Sequence, residues 1–255
     1  MEIRKLGRTI QTNFSFLQDL KFSILRFARK SLEKPDEADF KAIKLLNGID
    51  NNLFLDVGAN RGQSIDAMLM FNNKLTIQSF EPNPLLCDKL AKVYGTNKNV
   101  TIHGYGLGDE AGEFTLYVPF YKNYMFDGLA SFNEVNAKNW LRSRIYHYNE
   151  KYLTIKKITC RVKRLDDLEL RPFFIKLDVQ GYELPALKGA EQTLGACKPV
   201  LLIESPENEI QDYLLQFGYK KYAFRDNRFV LNGKSLPNSF FITDDKLSLF
   251  YVDKN

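Results

Sequence analysis

Four acids in this sequence each end or follow an apolar run of the kind that forms a buried strand. Asp56 lies in LFLDVGANRGQS, Glu81 follows TIQSF, Asp178 ends FFIKLD and Glu204 ends VLLIE. In an open parallel sheet, ligands bind at the carboxyl ends of the strands, where the chain turns into a helix. The spacing therefore predicts that the four carboxylates converge on one crevice.

The stretch from 53 to 64, LFLDVGANRGQS, has the pattern of a strand, a glycine turn and the start of a helix. Glycines let the backbone turn tightly and approach a ligand, and the new helix offers unpaired amide donors. Asp56 would repel a pyrophosphate but attract an ammonium or a sulfonium, and S-adenosylmethionine carries both. The alternative is a turn that only connects two elements. The candidate binding residues of the turn are Gly58, Asn60, Gly62, Gln63 and Ser64.

The next two strand ends suggest where an adenosine would lie. Glu81, 25 residues after Asp56, could accept hydrogen bonds from both ribose hydroxyls, or it could be a charge beside a helix cap at Asn83. Gly108 and Asp109, in GYGLGDEAG, could meet the adenine edge, or they could form an acidic turn before the next strand.

The remaining acids are candidates for catalysis: with S-adenosylmethionine as the ligand the reaction would be methyl transfer, and an alcohol as acceptor would also need a base or a metal to remove its proton. Asp178 is assigned to the methionine moiety and the acceptor, and Glu204 or Glu183 to acceptor binding or proton removal. His147, in the aromatic stretch RIYHYNEKY, is a further candidate base. The three acids could instead hold a divalent cation such as Mg²⁺, but no metal-ligand spacing is present, so metal dependence is not favoured.

From residue 53 onward, short apolar runs alternate with segments of helical period, which predicts an α/β fold with a parallel sheet between helices. Residues 1–50 and about 112–165 do not fit this alternation. We expect an N-terminal helical segment over 1–50 and a main domain over 51–255 with an aromatic-rich insertion. The insertion could overhang the crevice, or it could pack its own aromatic side chains. The predicted strands lie near 53–57, 75–80, 100–105, 173–178, 199–204, 220–224 and 238–243.

Six motifs in order resemble the FkbM family of S-adenosylmethionine-dependent methyltransferases: LDVGANRGQS, FEPNP, GLGDEAGEFTLYV, VKRLDDL, FFIKLDVQGYELPALKGA and VLLIE. The resemblance implies the class I methyltransferase (Rossmann-like) fold, a seven-stranded, mostly parallel sheet with an antiparallel last strand, which NSFFIT would supply. It also implies O-methylation, often of a sugar hydroxyl on a glycan or glycosylated metabolite. Gln180 departs from the family, which usually has glutamate at this position.

Composition limits the class of protein and its partners. The chain is 44% hydrophobic and 26% charged, which is ordinary for a globular protein. Residues 1–30 hold seven Lys or Arg against two acids, which leaves 29 against 29 elsewhere, so no nucleic-acid partner is expected. Three widely spaced cysteines indicate neither a disulfide framework nor a zinc site. No apolar run is long enough for a membrane span, so we expect a cytoplasmic protein.

A basic amphipathic helix is predicted between residues 14 and 28, with Phe14, Leu17, Leu20, Ile24 and Phe27 near one face. Such a helix can lie on an anionic membrane, which for a cytoplasmic protein would be the inner face of the cell membrane. That location would suit a lipid-linked acceptor. It can also dock its apolar face on the domain or on a second subunit of a homo-oligomer.

Two other functions remain open on the sequence. A nicotinamide-dependent oxidoreductase shares the strand, turn and ribose acid, but Asp56 and the lack of a complete GxGxxG argue against it. A non-catalytic binding protein of the same fold is the other, and the intact acids argue against it, whereas Gln180 leaves room for it.

Overall fold

A computed structural model describes residues 2–46, 48–234 and 237–250, in which twelve strands and nine α-helices form. The strands are β1 (Leu53–Val57), β2 (Thr76–Phe80), β3 (Val100–His103), β4 (Gly106–Leu107), β5 (Gly112–Tyr121), β6 (Tyr124–Met125), β7 (Leu153–Lys163), β8 (Phe174–Leu177), β9 (Val200–Glu204), β10 (Lys220–Arg225), β11 (Arg228–Leu231) and β12 (Asn238–Ile242). The helices are α1 (Glu2–Gln11), α2 (Gln18–Ser31), α3 (Gln63–Phe71), α4 (Pro84–Tyr94), α5 (Glu134–Asn139), α6 (Glu183–Lys188), α7 (Glu191–Cys197), α8 (Asn208–Leu215) and α9 (Asp244–Leu247).

Eight strands form one sheet in the order β11-β10-β12-β9-β8-β1-β2-β3. From β9 to β3 all pairs are parallel, whereas β12 pairs antiparallel with both β9 and β10. An antiparallel strand inserted beside the last parallel ones is the arrangement that the motifs implied. The predicted α/β class I methyltransferase fold is confirmed.

The number of strands differs from the predicted seven, because β11 adds an eighth at the edge of the sheet. It pairs antiparallel with β10 across a two-residue turn, in which Asp226 and Asn227 have φ of 49° and 58°. Positive φ at both central residues is typical of a type I′ hairpin turn, and Asp and Asn tolerate that conformation. The DN pair was therefore a hairpin signal, and the extra strand leaves the rest of the sheet unchanged.

The parallel strands are buried on both faces, and successive residues pack into different cores. Phe54 packs in a cluster with Ile77, Phe174 and Leu202, and Leu55 packs in another with Ile175. This follows from the two-residue repeat of a strand, which points neighbouring side chains to opposite faces. Because helices cover both faces of such a sheet, ligands bind at the carboxyl ends of its strands.

The helices after the strands begin largely where the sequence indicates. Asn83 Oδ1 accepts a hydrogen bond from the Leu85 amide at 3.1 Å and so caps α4, with Pro84 in its first turn. The helical spacing of Leu184, Leu187 and Leu194 predicts a single helix that ends at Gly195, and this prediction is wrong: the segment forms two helices, α6 and α7, and Gly195 lies inside α7.

The insertion forms a second sheet with the order β4-β7-β5-β6. Its main ladder pairs β5 antiparallel with β7, from Gly112 opposite Val162 to Tyr121 opposite Leu153. Many of its aromatic side chains pack together, as Tyr121, Tyr124 and Phe126 do with Trp140 at the edge of the cluster. The insertion also supplies residues to the crevice, so both alternatives for its aromatics hold in part.

The helices α1 and α2 lie with their polar side chains toward the domain and their apolar side chains toward solvent. The alternative that the amphipathic helix docks its apolar face on the domain is therefore wrong. Gln18 is buried and donates to the Met125 carbonyl at 2.8 Å, and Arg26 forms an ion pair with Asp66 at 2.6 Å. We call the exposed set the apolar face; it comprises Leu6, Ile10, Phe14, Phe16, Leu17, Leu20, Ile24, Phe27 and Leu32, each 40% to 79% exposed.

The segment between α2 and β1 joins the main core. Phe40 and Ile43, in the 3-10 helix Ala38–Leu45, are buried against the same cluster as Phe54. The division of the chain at residue 50 stays a prediction. Among the described residues, no helix combines the length and the apolar character that crossing a bilayer requires.

Candidate active site

Four neighbouring strands bring their acids to one edge of the sheet, as the sequence predicts. The order β9-β8-β1-β2 places Glu204, Asp178, Asp56 and Glu81 at or just past adjacent strand ends. The contacts of the four carboxylates differ, and these contacts separate them into two kinds.

Asp56 is fully buried beneath the glycine turn. Its carboxylate accepts hydrogen bonds from the hydroxyls of Ser64 at 2.7 Å and Ser79 at 3.0 Å. Burial raises the pKa of Asp56, while the Lys176 ammonium and the two hydroxyls oppose the rise. Asp56 therefore joins β1, β2 and α3, and it does not line the two cavities described below.

The glycines of the turn are required by close protein neighbours. Gly58 has φ of 85°, and a Cβ there would lie 1.9 Å from the carbonyl oxygen of Asp178. Gly62 also has φ of 85°, and its Cβ would lie 2.5 Å from the hydroxyl of Tyr94, which donates to the Gly62 carbonyl. Gln63 and Ser64 then open α3. The glycine turn is thus packed against Asp178 at the end of β8 and against Tyr94 of α4.

Glu81 is buried and turns back to the glycine turn. Its two carboxylate oxygens accept from the amides of Asn60 at 2.7 Å and Asn83 at 2.9 Å. Burial raises its pKa to about 8, and the two backbone amides oppose that rise. Asn60 itself has φ of 49°, and its buried side-chain oxygen Oδ1 has no hydrogen-bond partner.

These groups line a cavity beside the carboxyl ends of β1, β2 and β8, which we call the inner cavity. Its lining residues include Gly58, Asn60, Phe80, Glu81, Leu107, Gly128, Phe132, Asp178 and Gln180. Gly128 and Phe132 come from the insertion, which therefore covers part of the crevice. The arrangement is a narrow space between glycine turn, second strand end and insertion.

Asp178 faces a buried cation, Lys176, which donates to it at 2.9 Å. Burial alone would lower the pKa of Lys176, but the carboxylates around it raise that pKa above its usual value. Burial would raise the pKa of Asp178, but the Lys176 charge and the hydrogen bonds from Glu204, Lys176 and Gln180 together outweigh burial and hold that pKa below its usual range. Asp178 is therefore ionised beside an ammonium.

Glu204 behaves in the opposite way. Burial and the neighbouring Asp178 raise the pKa of Glu204 to about 8. The side-chain amide of Gln180 bridges the pair, donating to Asp178 at 2.7 Å and to Glu204 at 2.9 Å. Two carboxyls with separated pKa values, joined by one amide, are suited to divide charge stabilisation from proton transfer.

Glu183 holds the loop that carries these groups. Its carboxylate accepts from the amides of Val179 at 3.1 Å and Gly181 at 2.9 Å, and burial raises its pKa. Both oxygens thus face backbone donors. This contact positions Asp178 and Gln180, whose loop it closes.

A second space, the outer cavity, opens on the other side of Asp178. Its lining residues include Asn136, Trp140, Arg144, Asp178, Gln180, Glu183, Glu204, Ser205 and Glu207. Asp178 and Gln180 line both cavities. They therefore form the wall at which a molecule in the inner cavity would meet one in the outer cavity.

Gly108 and Asp109, which were predicted to meet the adenine, do not line the inner cavity, whereas the neighbouring Leu107 does. Gly108 packs against Tyr182 and Val162, and the Asp109 carbonyl accepts from Arg164 at 3.1 Å. His147, named as a further base, is exposed and lines neither cavity.

Three residues of the site were missing from the candidates. Lys176 had a signal, because a lysine in the apolar run FFIKLD lies on the same face as Asp178 two residues later. Gln180 was noted only as a departure. Arg61 forms a buried ion pair with Asp127 and so fastens the insertion to the glycine turn; only the folded chain brings these two together.

No group of three or more His, Cys, Asp or Glu within the described ranges is arranged to hold a metal ion. Asp178, Glu183 and Glu204, named above as alternative Mg²⁺ ligands, instead face Lys176, backbone amides and Gln180, respectively.

A family model described as "Methyltransferase FkbM domain" matches residues 56–222. That range contains the glycine turn, the insertion, and the acids Glu81, Asp178, Glu183 and Glu204 of the two cavities. No curated protein matches the chain.

Solved structures similar to this chain include methyltransferase FkbM from Methylobacillus flagellatus KT, at 20% identity and a TM-score of 0.49. That match covers 78% of this chain and 47% of the other, so this chain spans about half of that protein's length. A precorrin-6y C5,15-methyltransferase from Geobacter metallireducens GS-15 matches at 14% identity and TM-score 0.36, over 79% and 83% of the two chains. An rRNA methylase from Streptococcus thermophilus matches at 11% identity and TM-score 0.41, over 82% and 94%.

Proposed function

Since the chain belongs to the FkbM methyltransferase family, we propose that it is an S-adenosylmethionine-dependent O-methyltransferase acting on a sugar hydroxyl of a glycan or glycosylated metabolite. The observation that carries this proposal is the shared wall of the two cavities. Asp178 lines both, and Glu204 beside it has a pKa raised to about 8.

The inner cavity suits the donor. When bound, S-adenosylmethionine supplies a methyl group on a sulfonium. Glu81 offers carboxylate oxygens that can accept from ribose hydroxyls, and the unpaired Asn60 Oδ1 is an acceptor for an ammonium. The ionised Asp178 favours a cation at the same wall.

Glu204 is the group we assign to the acceptor proton. Held at the wall beside Asp178, S-adenosylmethionine would supply its methyl group to the acceptor oxygen and would leave as the neutral thioether. The hydroxyl proton moves to the Glu204 carboxylate, which is the stronger base of the pair because its pKa is the higher. Asp178 stays ionised opposite Lys176, and Gln180 holds both carboxylates in place.

The outer cavity suits a sugar. It combines the indole of Trp140, which can stack on the apolar face of a pyranose, with polar groups such as Asn136 and Ser205. The polar groups can bond to ring hydroxyls. A flat apolar acceptor would leave these polar groups unpaired at a cost, which favours a hydroxyl-rich ligand.

The test is transfer of a labelled methyl group from S-adenosylmethionine to fractionated glycans and lipid-linked sugars, run with Mg²⁺ and with EDTA. We expect label in carbohydrate as a base-stable ether, at equal rates in both conditions. Loss of label in EDTA would assign the acids a metal. Donor binding without label in any fraction would contradict the sugar acceptor.

A matched variant makes this test specific. Glu204→Gln keeps the size and the hydrogen bond from Gln180 in the crevice but cannot take up a proton. It should bind S-adenosylmethionine in calorimetry and leave the glycans unlabelled. Labelling at the wild-type rate by Glu204→Gln would exclude Glu204 as the base.

A further inference from the structure

The apolar face of α1 and α2 is the largest concentration of exposed apolar side chains that the structure describes. Of the seventeen large apolar side chains that are exposed, nine belong to this face and eight are spread over the rest. On α2, Leu20, Ile24 and Phe27 follow the spacing of one helical face, and on α1 Leu6 and Ile10 do the same. A concentration of exposed apolar side chains of this kind marks an interaction site.

The orientation of the face is fixed by polar contacts on the opposite side of both helices. Arg26 donates to Asp66 and to the Arg61 carbonyl, and Gln18 bonds to the Met125 carbonyl. On α1, the hydroxyl of Thr9 accepts from the Tyr146 amide at 2.9 Å. Rotating either helix to bury its apolar side would break these bonds and leave buried polar groups unpaired. The face therefore stays outward and requires an external partner.

Charge selects the partner. Residues 1–30 carry a net charge of +5, within which Arg26 and Arg29 form ion pairs with Asp66 and Asp36, and the rest of the chain is balanced at 29 against 29. A symmetric contact between two copies would bring two such segments together, which is unfavourable for like charges. Lys30 is exposed in the last turn of α2, three residues after Phe27, and Lys34 is exposed just beyond the end of the helix. An apolar helix face with basic residues at its border is the pattern of a helix that lies in the headgroup region of an anionic bilayer.

We propose that the apolar face of α1 and α2 docks on the surface of an anionic lipid membrane. The inner side of the same helices carries Lys21 and Arg29, which line a cavity at the edge of the crevice together with Asp36. Asp36 also lines the outer cavity. Docking would thus bring the acceptor side of the crevice close to lipid headgroups. Docking requires no turnover, so its failure is separable from failure of the proposed reaction.

The test is co-sedimentation of the full chain with vesicles of phosphatidylcholine containing phosphatidylglycerol, and with vesicles of phosphatidylcholine alone. We expect binding to the anionic vesicles that weakens with added salt, and much weaker binding to the neutral ones. The double variant Phe16→Ser with Phe27→Ser removes two rings from the apolar face. It should bind anionic vesicles at least about tenfold more weakly, because each ring loses its burial in lipid.

The matched control is Val135→Ser with Leu215→Ser, which removes two similarly exposed side chains on other helices and should bind as the wild type does. Both variants should keep the wild-type melting temperature and donor affinity. Wild-type protein that stays in the supernatant with anionic vesicles would overturn the proposal, as would undiminished binding by the Phe16 and Phe27 variant. A concentration-dependent dimer that this variant abolishes, without vesicle binding, would instead assign the face to a second copy.

Discussion

The acids at the ends of β1 and β2 differ from those at the ends of β8 and β9 in what their oxygens contact. Asp56 accepts from two serine hydroxyls, and Glu81 accepts from two backbone amides. Asp178 and Glu204 instead contact charged or polar side chains, Lys176 and Gln180, and both acids line the outer cavity.

The contacts suggest that one pair of acids maintains the structure of the site and that the other pair is available for chemistry. The β1 and β2 acids are acceptors for the turn that surrounds the inner cavity, so they hold its shape. Burial and the neighbouring Asp178 raise the pKa of Glu204, whereas Lys176 and hydrogen bonds outweigh burial at Asp178 and lower its pKa. Equivalent positions in one fold can thus have unlike roles, and contacts rather than position decide which.

The largest expected effect is on the rate of methyl transfer, and it tests Glu204 as the general base. Glu204→Gln should lower kcat by about 10² to 10⁴-fold, the usual contribution of a general base, while the donor dissociation constant stays within about twofold. Steady-state kinetics with labelled donor and calorimetry measure the two. Glu110→Gln, at an exposed site away from the crevice, is the control. A drop in donor affinity equal to the drop in kcat would remove the distinction between the two pairs.

The next effect tests Glu81 as a donor-binding acid. Above about pH 8, where the Glu81 carboxyl is ionised, Glu81→Gln should weaken S-adenosylmethionine binding by about 10 to 100-fold, since one carboxylate acceptor is lost and hydrogen bonds to charged groups contribute about 1.5–3 kcal/mol. Titration calorimetry gives the dissociation constant. Glu113→Gln, at an exposed position of β5, should bind normally. Normal binding by Glu81→Gln would assign this acid to the turn alone.

Asp56 should act mainly on stability. Asp56→Asn exchanges a carboxylate that accepts from two hydroxyls for an amide that accepts at one atom only, so the free energy of unfolding should fall by about 1–3 kcal/mol. Urea unfolding measures it, with the exposed Asp88→Asn as control. If Asp56→Asn abolished donor binding at unchanged stability, Asp56 would contact the donor directly, as the sequence alone suggested.

The smallest effect concerns pH. Glu204, with a pKa of about 8, is protonated below that pH and becomes a base above it, so kcat/KM should rise as pH increases through about 8. Gln180→Met removes the amide that donates to the ionised carboxylate. The pKa of Glu204 and the rising limb should then move up by about one unit. A limb that does not move would show that Gln180 leaves the proton acceptor unaffected.

Much of the frame could be predicted because it depends on local patterns. Apolar runs fixed the seven predicted strands, and Asn83 with Pro84 marked the start of α4. The hairpin that adds β11 was missed although its DN turn is a local signal, and the break between α6 and α7 was missed because Gly189 packs against the distant Gly108. The apolar side of the N-terminal helix was recognised, but the sequence left open whether it turns outward or packs on the domain.

The sequence by itself determined which residue types end each strand, since a strand's period and the turn after it are properties of neighbouring residues. The pairing of Lys176 with Asp178, the bridge from Gln180 to Glu204, and the ion pair of Arg61 with Asp127 were decided by tertiary structure. Hydrogen bonds and pKa shifts depend on distances of a few ångströms and on burial. Both are set only when separate strands, loops and the insertion pack together.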